Sequence, residues 1–287
     1  MVELTLVDSP SVTVAPRLRG SPTVRALRRP GVVLSTLVVV TVVAWAVLPG
    51  IFTSSDPLVG VPAQRLQGPS LNHLFGTDQL GRDLFSRVVY GSSLSLLATL
   101  TAVAVALVFG STLGLVAGFL GGWIDDVVMR VVDVLLAIPG LLLSLALVTA
   151  LGFGTVNVAI AVGVATAANF ARVMRSEVIK TRQATFVEAS FLLGGSRWHI
   201  LLRHVLPNAS RSVFPLAVLQ FGLSILVIAS LAFLGYGDPP PASDWGLLIS
   251  IGKDYLKWPW LVYAPAFVTI GTVLSINRIS RWLRKTD

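Results

Sequence analysis

Few residues of this 287-residue chain have types and spacings that could carry out a chemical reaction. There are no cysteines, which excludes disulfides, thiolate metal sites and cysteine nucleophiles. The three histidines, His73, His199 and His204, have no metal-ligand spacing with nearby carboxylates. A phosphate-binding loop needs the pattern G-x-x-x-x-G-K-[ST], and the sole Gly-Lys pair, residues 252–253, is followed by an aspartate. We therefore expect no catalytic activity, no metal and no cofactor in this chain, so that ATP-driven work would require another chain.

One polar stretch stands out between two long apolar runs: FVEASFLLGGSRWHILLRHVLPN, residues 186–208. Thr185–Leu193 can form a short helix that ends at Gly194–Gly195, because glycine readily takes the left-handed conformation. Ser196 can cap a second helix, which we expect Pro207 to end. The periodicity alone is equally compatible with an amphipathic hairpin that lies in the membrane interface and has no partner.

The elements around this stretch are apolar. Charged residues make up 13% of the chain and the mean hydropathy is +0.80, whereas about a quarter of a soluble domain is charged. A bilayer span needs roughly 20 apolar residues and satisfies its backbone as a helix. We predict an all-α fold with a basic tail at residues 1–30 and a transmembrane domain at 31–287. Its six helices are expected at about 31–52, 93–118, 131–151, 155–172, 212–235 and 258–278.

The distribution of Lys and Arg predicts the orientation of these helices. With six spans, 17 of the 22 basic residues lie on the side of the two termini and of the 172–211 segment. Because basic loops stay in the cytoplasm, we expect both termini and the polar stretch to be cytoplasmic. The net charge of +8 is spread over these membrane-flanking loops, so it indicates topology rather than nucleic-acid binding.

The centres of the predicted spans contain no charged residue. Intramembrane charges mark ion pathways and proton relays, so their absence argues against a stand-alone secondary carrier. A sodium site made of backbone carbonyls remains compatible with the pattern. Asn157 and Asn169 are the main polar exceptions, and we expect them to be buried in hydrogen bonds between helices.

Small residues recur at every fourth position of the second predicted helix. This spacing lets two helix backbones approach closely in lipid, so we expect the helix to pack against another one, within the chain or across a dimer. Pro139 predicts a kink in the third helix. The small residues are Ala98, Ala102, Ala106, Gly110, Gly114 and Gly118.

Within the polar stretch, Glu188-Ala189-Ser190 is followed after three residues by Gly194 and after nine more by His204-Val205-Leu206-Pro207. This order resembles the E-A-A-x3-G-x9-I-x-L-P loop of ABC importer membrane subunits, with serine for the second alanine and histidine for the isoleucine. The resemblance implies that segment 184–207 contains a coupling helix that docks into a groove of a cytoplasmic ATPase subunit. The implied coupling residues are Glu188, Ala189, Ser190, Gly194, Gly195, Leu206 and Pro207.

Three further segments resemble the C-type membrane subunit of dipeptide and oligopeptide importers: HLFGTDQLGRDLFSRVVYGSSLSLL (73–97), GGWIDDVVMRVVDVLLAIPGLLL (121–143) and ASLAFLGYGDPPPASDWGLLIS (229–250). In the first, we expect an interfacial helix capped by Thr77 or Asp78, with Asp83 paired to Arg87 at i,i+4. In the last, Trp245 is expected at the membrane interface.

The resemblance implies the six-helix type I ABC importer permease fold and import of dipeptides or oligopeptides by alternating access. The implied partners are a homologous second permease, two ATPase subunits or one fused pair that bind ATP and Mg, an extracytoplasmic binding protein and membrane lipid. Related subunits also carry nickel chelates and other ligands, so the cargo stays open. The competing classes are a stand-alone carrier or channel and a membrane enzyme, and the latter would need a clustered reactive site.

Overall fold

The structure of the protein is a computed structural model that describes residues 30–286, with side chains up to residue 283. Apart from Pro30, the predicted basic tail at 1–30 therefore lies outside the described residues. Regular structure between 30 and 286 is helical, without a β-strand. The longer helices are α1 Pro30–Val47, α2 Leu84–Leu120, α3 Gly122–Ala137, α4 Gly140–Leu151, α5 Thr155–Arg182, α6 Thr185–Leu192, α7 Arg197–Phe233, α8 Trp245–Gly252 and α9 Trp260–Thr286.

Five of these helices, α1, α2, α5, α7 and α9, are long and apolar enough to cross a membrane. The third predicted span, 131–151, corresponds to parts of two helices, α3 and α4, which meet at an angle of 99°. Ile138, which precedes Pro139, has extended backbone angles (φ −91°, ψ 131°), as the proline ring requires of its neighbour. The predicted kink at Pro139 is thus confirmed, as a sharp break between two helices.

Several helices are longer than the apolar runs that predicted them. α2 begins at Leu84 rather than near 93, α5 continues to Arg182 rather than 172, and α7 begins at Arg197 rather than 212. Charged residues end an apolar run but do not end a helix, since Lys, Arg and Glu are good helix formers. The chain therefore has helical extensions at both ends of the bundle. We call the end where Leu120 and Arg182 lie the hairpin end, and the opposite end, formed by residues 53–83 and 234–259, the loop end.

In the described part of the chain α2 packs most extensively against α5, and glycines permit the close approach of the two helices. An ideal Cβ on Gly114 would lie 2.2 Å from the Ala171 carbonyl oxygen, a separation that real Cβ atoms do not show. The alanines of the small-residue stripe are buried in the same interface. An ideal Cβ would likewise lie 2.2 Å from Ala167 O if placed on Gly110, 2.9 Å from Arg175 O on Gly118 and 2.8 Å from Ala102 O on Gly163. The small-residue stripe thus faces a helix of the same chain along its whole length.

Only one of the two intramembrane asparagines joins helices. Asn157 of α5 is half-buried and donates to the carbonyl of Leu151, the last residue of α4, and to that of Phe153 in the turn between the two helices. Asn169 is exposed on the surface of α5. The predicted interhelical hydrogen bond is therefore confirmed for Asn157, and the predicted burial is wrong for Asn169.

Replacing Gly114 with alanine tests whether the α2–α5 contact determines stability. The added methyl group would meet backbone rather than a movable side chain, so we expect a loss of about 1–3 kcal/mol and a lower thermal midpoint of the purified protein in detergent. Gly271→Ala in α9 is the matched control, because nothing lies within 4 Å of its Cβ position. Equal midpoints for the two variants would contradict this account of the packing.

Candidate functional site

The hairpin segment, residues 184–207, is held against the bundle by a few apolar side chains. Its first helix, α6, follows α5 after only Gln183 and Ala184. Val187 of α6 and Ile200 of α7 are fully buried and belong to one core cluster with Phe119 of α2 and Val178 of α5. Burying side chains of this size contributes about 1.5–3 kcal/mol each relative to exposure. The segment is therefore anchored to both α2 and α5.

The turn in the hairpin segment depends on its two glycines in different ways. Gly194 has φ +81° and donates its N–H to Phe191 O at 3.0 Å, while the Gly195 N–H donates to Ser190 O at 3.0 Å. These two bonds form the motif by which a helix ends in a left-handed residue. At Gly195 there is no room for a side chain, since a Cβ there would lie 2.8 Å from Ser190 O. The predicted end of the first helix at this pair is confirmed.

The outward face of α6 combines one carboxylate with small and apolar side chains. Glu188 and Ala189 are exposed, and the half-buried Ser190 hydroxyl donates to Phe186 O at 2.9 Å, so it needs no other partner. Beyond them Leu192 and Leu193 are each 89% exposed. Exposed apolar patches on a folded protein mark surfaces that contact another protein or a membrane.

A cleft of about 610 Å³ opens beside this face, at the junction of α6 with the ends of α2 and α5. Its polar lining includes Asp125, Arg182, Glu188 and Arg197. The Arg182 guanidinium donates to Phe119 O at 2.9 Å, which joins the end of α5 to the end of α2. The hairpin end thus presents an exposed apolar surface next to a cleft with charged lining residues.

The second helix of the hairpin segment does not end at Pro207, contrary to the prediction. Ser196 caps it as expected, accepting from His199 N at 3.3 Å, but the helix then continues into α7 through a π-turn at Leu201–Val205. The widened turn accommodates the proline, and the Asn208 side-chain amide donates to His204 O at 2.7 Å. Leu206 is half-buried against the core and Pro207 is exposed. Leu206 and Pro207, two of the predicted coupling residues, therefore lie within α7, away from the exposed face of α6.

Two ion pairs join α3 to α5 near the hairpin end. The Arg175 guanidinium contacts both carboxylate oxygens of Asp125, at 2.5 and 2.6 Å. The Arg172–Asp133 pair, at 2.9 Å, is more than half exposed, and exposed pairs contribute about 0–1 kcal/mol. These pairs add to the apolar packing of Val132 of α3 against Ala168 and Ala171 of α5.

The loop end contains a buried polar cluster that the sequence reasoning missed. Arg87 is 1% exposed, and its Nη1 lies 2.9 Å from Asp78 Oδ2, which also accepts from Arg82 Nε at 2.7 Å. Asp83 instead caps α2, accepting from Ser86 N at 2.7 Å. The predicted Asp83–Arg87 pair is therefore wrong, as is the predicted helix before α2. Positive φ angles at Gly76 and Gly81 make residues 76–83 an irregular loop.

Trp245 is likewise not at the membrane interface but 1% exposed, inside the bundle. Its indole N–H donates to Val88 O at 3.1 Å, and its backbone N–H donates to Ser95 Oγ at 3.2 Å. Asp244, 5% exposed, caps α8 through its Oδ1. Its Oδ2 has no hydrogen-bond partner within the described part of the chain. The proline-rich loop next to Trp245 led to the wrong prediction, because a tryptophan after such a loop can equally anchor the loop inside the bundle.

Comparison with known proteins gives a consistent result. The sequence pattern of the family described as "Binding-protein-dependent transport system inner membrane component" matches residues 110–286. The dipeptide transport system permease protein DppC of Alkalihalophilus pseudofirmus is 39% identical over 88% of this chain and 83% of that protein. The glutathione transport system permease protein GsiD of Pectobacterium atrosepticum is 39% identical over 76% and 73%. The probable D,D-dipeptide transport system permease protein DdpC of Escherichia coli is 35% identical over 93% and 91%.

The fold is also similar to a solved one. A chain of the MetNI methionine ABC transporter, in a structure of its inward-facing conformations, superposes with a TM-score of 0.57 at 17% identity. The match covers 70% of this chain and 96% of that chain. At this identity the similarity shows the fold alone, which is that of an ABC importer membrane subunit.

The buried carboxyl group of Asp244 predicts a pH-dependent stability. Burial raises its pKa above the ordinary 3.8, so the folded protein holds the proton more tightly than the unfolded chain does. The stabilisation that the bound proton provides is complete below pH 3.8, and it is lost as the pH rises through the raised pKa of the folded protein. Asp244→Asn keeps an oxygen that can cap α8, but the amide does not ionise, so this loss of stability with rising pH is absent.

We therefore expect the thermal midpoint of Asp244→Asn to exceed that of the wild type at neutral pH, and the difference to shrink as the pH is lowered. Thermal unfolding in detergent over a pH series measures this. Asp254→Asn, at an exposed residue of the same end, is the matched control. A difference between Asp244→Asn and wild type that does not change with pH would contradict the prediction.

Proposed function

The chain belongs to the family of binding-protein-dependent transport system inner membrane components, and from this premise we propose that it is the permease subunit of an ATP-driven peptide importer. The observation that carries the proposal is the hairpin segment. It is fixed to α2 and α5 by buried side chains, yet it presents small and apolar side chains to the outside. The sequence has no phosphate-binding loop of its own, so this surface is the one through which a motor would act.

The partners in this proposal follow from the family. ATP and Mg bind to two ATPase subunits or to one fused pair, and a second, homologous permease completes the pathway. An extracytoplasmic binding protein delivers the substrate to the loop end. The hairpin end and both termini face the cytoplasm, because the basic residues are concentrated on that side.

The structure suggests how motion passes from the hairpin end to the loop end. When ATP closes the ATPase dimer, α6 moves with the subunit into which it docks. Because α6 follows α5 directly and α5 is packed on α2 from end to end, these helices move together. A change of conformation requires different contact energies in the two states, and here the difference would come from docking at α6. The pathway then opens at the loop end.

The cargo class rests on the names of the relatives, which are permeases for dipeptides, D,D-dipeptides and glutathione. All three are short peptides or peptide-like molecules. An apolar pathway without charged residues at the centres of its helices is compatible with cargo of varied side chains. The binding protein would then determine which peptide is imported.

Purification from native membranes tests the assignment directly. We expect the ATPase subunits, a second permease and the binding protein to co-purify, and vesicles with the whole complex to take up labelled dipeptide only when ATP is supplied. The same chain reconstituted alone should transport nothing. Uptake by the isolated chain without ATP would contradict the proposal, and a different ligand in the binding protein would correct the cargo alone.

Ala189→Trp tests the hairpin segment itself. A large ring at this exposed position should prevent docking, and a loss of about 1.4 kcal/mol already lowers an association constant tenfold. We expect ATP-dependent uptake to fall roughly tenfold or more while the thermal midpoint of the chain is unchanged. Ser212→Trp, at an exposed residue of the same end outside the segment, should retain uptake. Wild-type uptake by Ala189→Trp would contradict the docking role.

A further inference from the structure

The middle of α5 has an exposed polar surface. Asn169, Arg172 and Ser176 are exposed and follow one another at intervals of three and four residues, so they lie on one side of the helix. We call these three residues the polar face. Asp133 of α3 borders it and accepts from Nη2 of Arg172 at 2.9 Å. Among the candidate spans of the described chain, α5 is the one most enclosed by other helices, so an exposed polar surface on it calls for a reason.

The side-chain amide of Asn169 has no hydrogen-bond partner within residues 30–283. Exposed threonines of other helices differ in this respect, because their hydroxyl groups donate to the carbonyl four residues earlier, as in Thr101, Thr112 and Thr149. An asparagine side chain offers two N–H donors and one carbonyl acceptor. In Asn169 these groups are available to a molecule outside the described chain.

Lipid cannot satisfy the polar face. Asn169 is the fifteenth residue of α5 and lies roughly 21 Å along the helix from Thr155, less than the thickness of a hydrocarbon core of about 30 Å. Transfer of an unpaired amide from water to hydrocarbon is strongly unfavourable, and charged groups of a span face protein or a water-filled cavity. The polar face is therefore turned toward water or a polar partner. In the proposed function both lie on the side of the second permease, because the pathway runs between the two permeases.

The chemistry of the polar face matches that of a short peptide. The Asn169 amide can donate to a peptide carbonyl and accept from a peptide N–H. The planar guanidinium of Arg172 suits the terminal carboxylate. Its bond to Asp133 is more than half exposed on both sides, and such pairs contribute little, so a carboxylate of the cargo can displace it. Side chains at i and i+3 have Cβ atoms about 5–6 Å apart, a separation that one peptide can bridge.

We propose that the polar face borders the transport pathway between this chain and the second permease, and that Asn169 and Arg172 bind the peptide in transit. Asn169 binds a peptide group and Arg172 binds the terminal carboxylate. Every short peptide with a free C-terminus has both groups whatever its side chains, so these contacts favour peptides as a class. The inference rests on the proposed function, because it requires a second permease and peptide cargo.

Cysteine labelling tests whether the polar face meets water, and this chain has no cysteine of its own. The whole complex in nanodiscs is treated with a water-soluble maleimide, without nucleotide and with a non-hydrolysable ATP analogue, and the label on this chain is measured. In at least one state Asn169→Cys should label almost as fast as Leu71→Cys, which is 98% exposed at the loop end. Leu274→Cys is the matched control, because Leu274 is the fifteenth residue of α9, 61% exposed beside apolar neighbours. It should stay unlabelled.

Uptake by variants of similar size tests the contact with cargo. In vesicles with the whole complex, binding protein and labelled dialanine, Asn169→Leu should lower ATP-dependent uptake about tenfold, as expected for the loss of hydrogen bonds to the cargo. Asn169→Gln keeps the amide and should retain most of the uptake. The thermal midpoints of the two variants should be equal, since Asn169 makes no hydrogen bond within the described chain.

Arg172 is compared with its own ion-pair partner. Arg172→Gln and Asp133→Asn both remove the ion pair, but only Arg172→Gln removes the cation that would bind the cargo. Uptake of dialanine should therefore fall more in Arg172→Gln than in Asp133→Asn. Equal uptake by the two variants would show a structural ion pair and overturn the role of Arg172.

The inference and the proposed function fail in different ways. If the wild-type complex takes up dialanine with ATP, the proposed function stands. Labelling of Asn169→Cys as slow as that of Leu274→Cys in both states, or wild-type uptake by Asn169→Leu, would then overturn the inference alone. A wild-type complex without ATP-dependent uptake would overturn the proposed function, and the inference with it.

Discussion

The backbone-to-backbone contact of α2 with α5 is the constraint on which the rest of the structure depends. Lipid tails are as apolar as leucine, so no hydrophobic effect holds two helices together in a bilayer, and close packing must do so. Gly110, Gly114 and Gly118 remove the side chains that would keep the helices apart, and backbone carbonyls of α5 occupy the space. The pair therefore behaves as one unit that extends from the hairpin end to the loop end.

The two ends of this unit have contacts of different chemistry. At the hairpin end, Val187 and Ile200 insert into the core, and such contacts are costly to open. At the loop end, Arg87 joins Asp78 and the Ala242 carbonyl through an ion pair and a hydrogen bond, beside the buried Trp245. In the proposed function the hairpin segment has to follow the ATPase subunit into which it docks, and firm apolar anchoring suits that role.

Much of the architecture could be predicted because it depends on local sequence. The glycine pair that ends α6, the Ser196 cap and the bend at Pro139 all follow from preferences of single residues. The errors arose where tertiary contacts decide. Asp83 and Arg87 have the spacing of a helical pair, but a pair requires a helix, and the loop at 76–83 leaves Asp83 as a cap. The partner of the small-residue stripe was equally undetermined, because any helix accepts such a surface.

The π-turn at Ala106–Gly110 explains how a strict four-residue spacing can face one partner over so long a helix. At 3.6 residues per turn each step of four residues overshoots by about 40°, so five steps would carry Gly118 about 200° from Ala98, to the far side of α2. A π-turn contains more residues than an α-turn and so rotates the helix back. Ala102 and Gly118, on opposite sides of the π-turn, both contact α5. The π-turn thus turns the second half of the small-residue stripe back toward α5. Without it the glycines at the hairpin end would face away from this helix, which carries the hairpin segment.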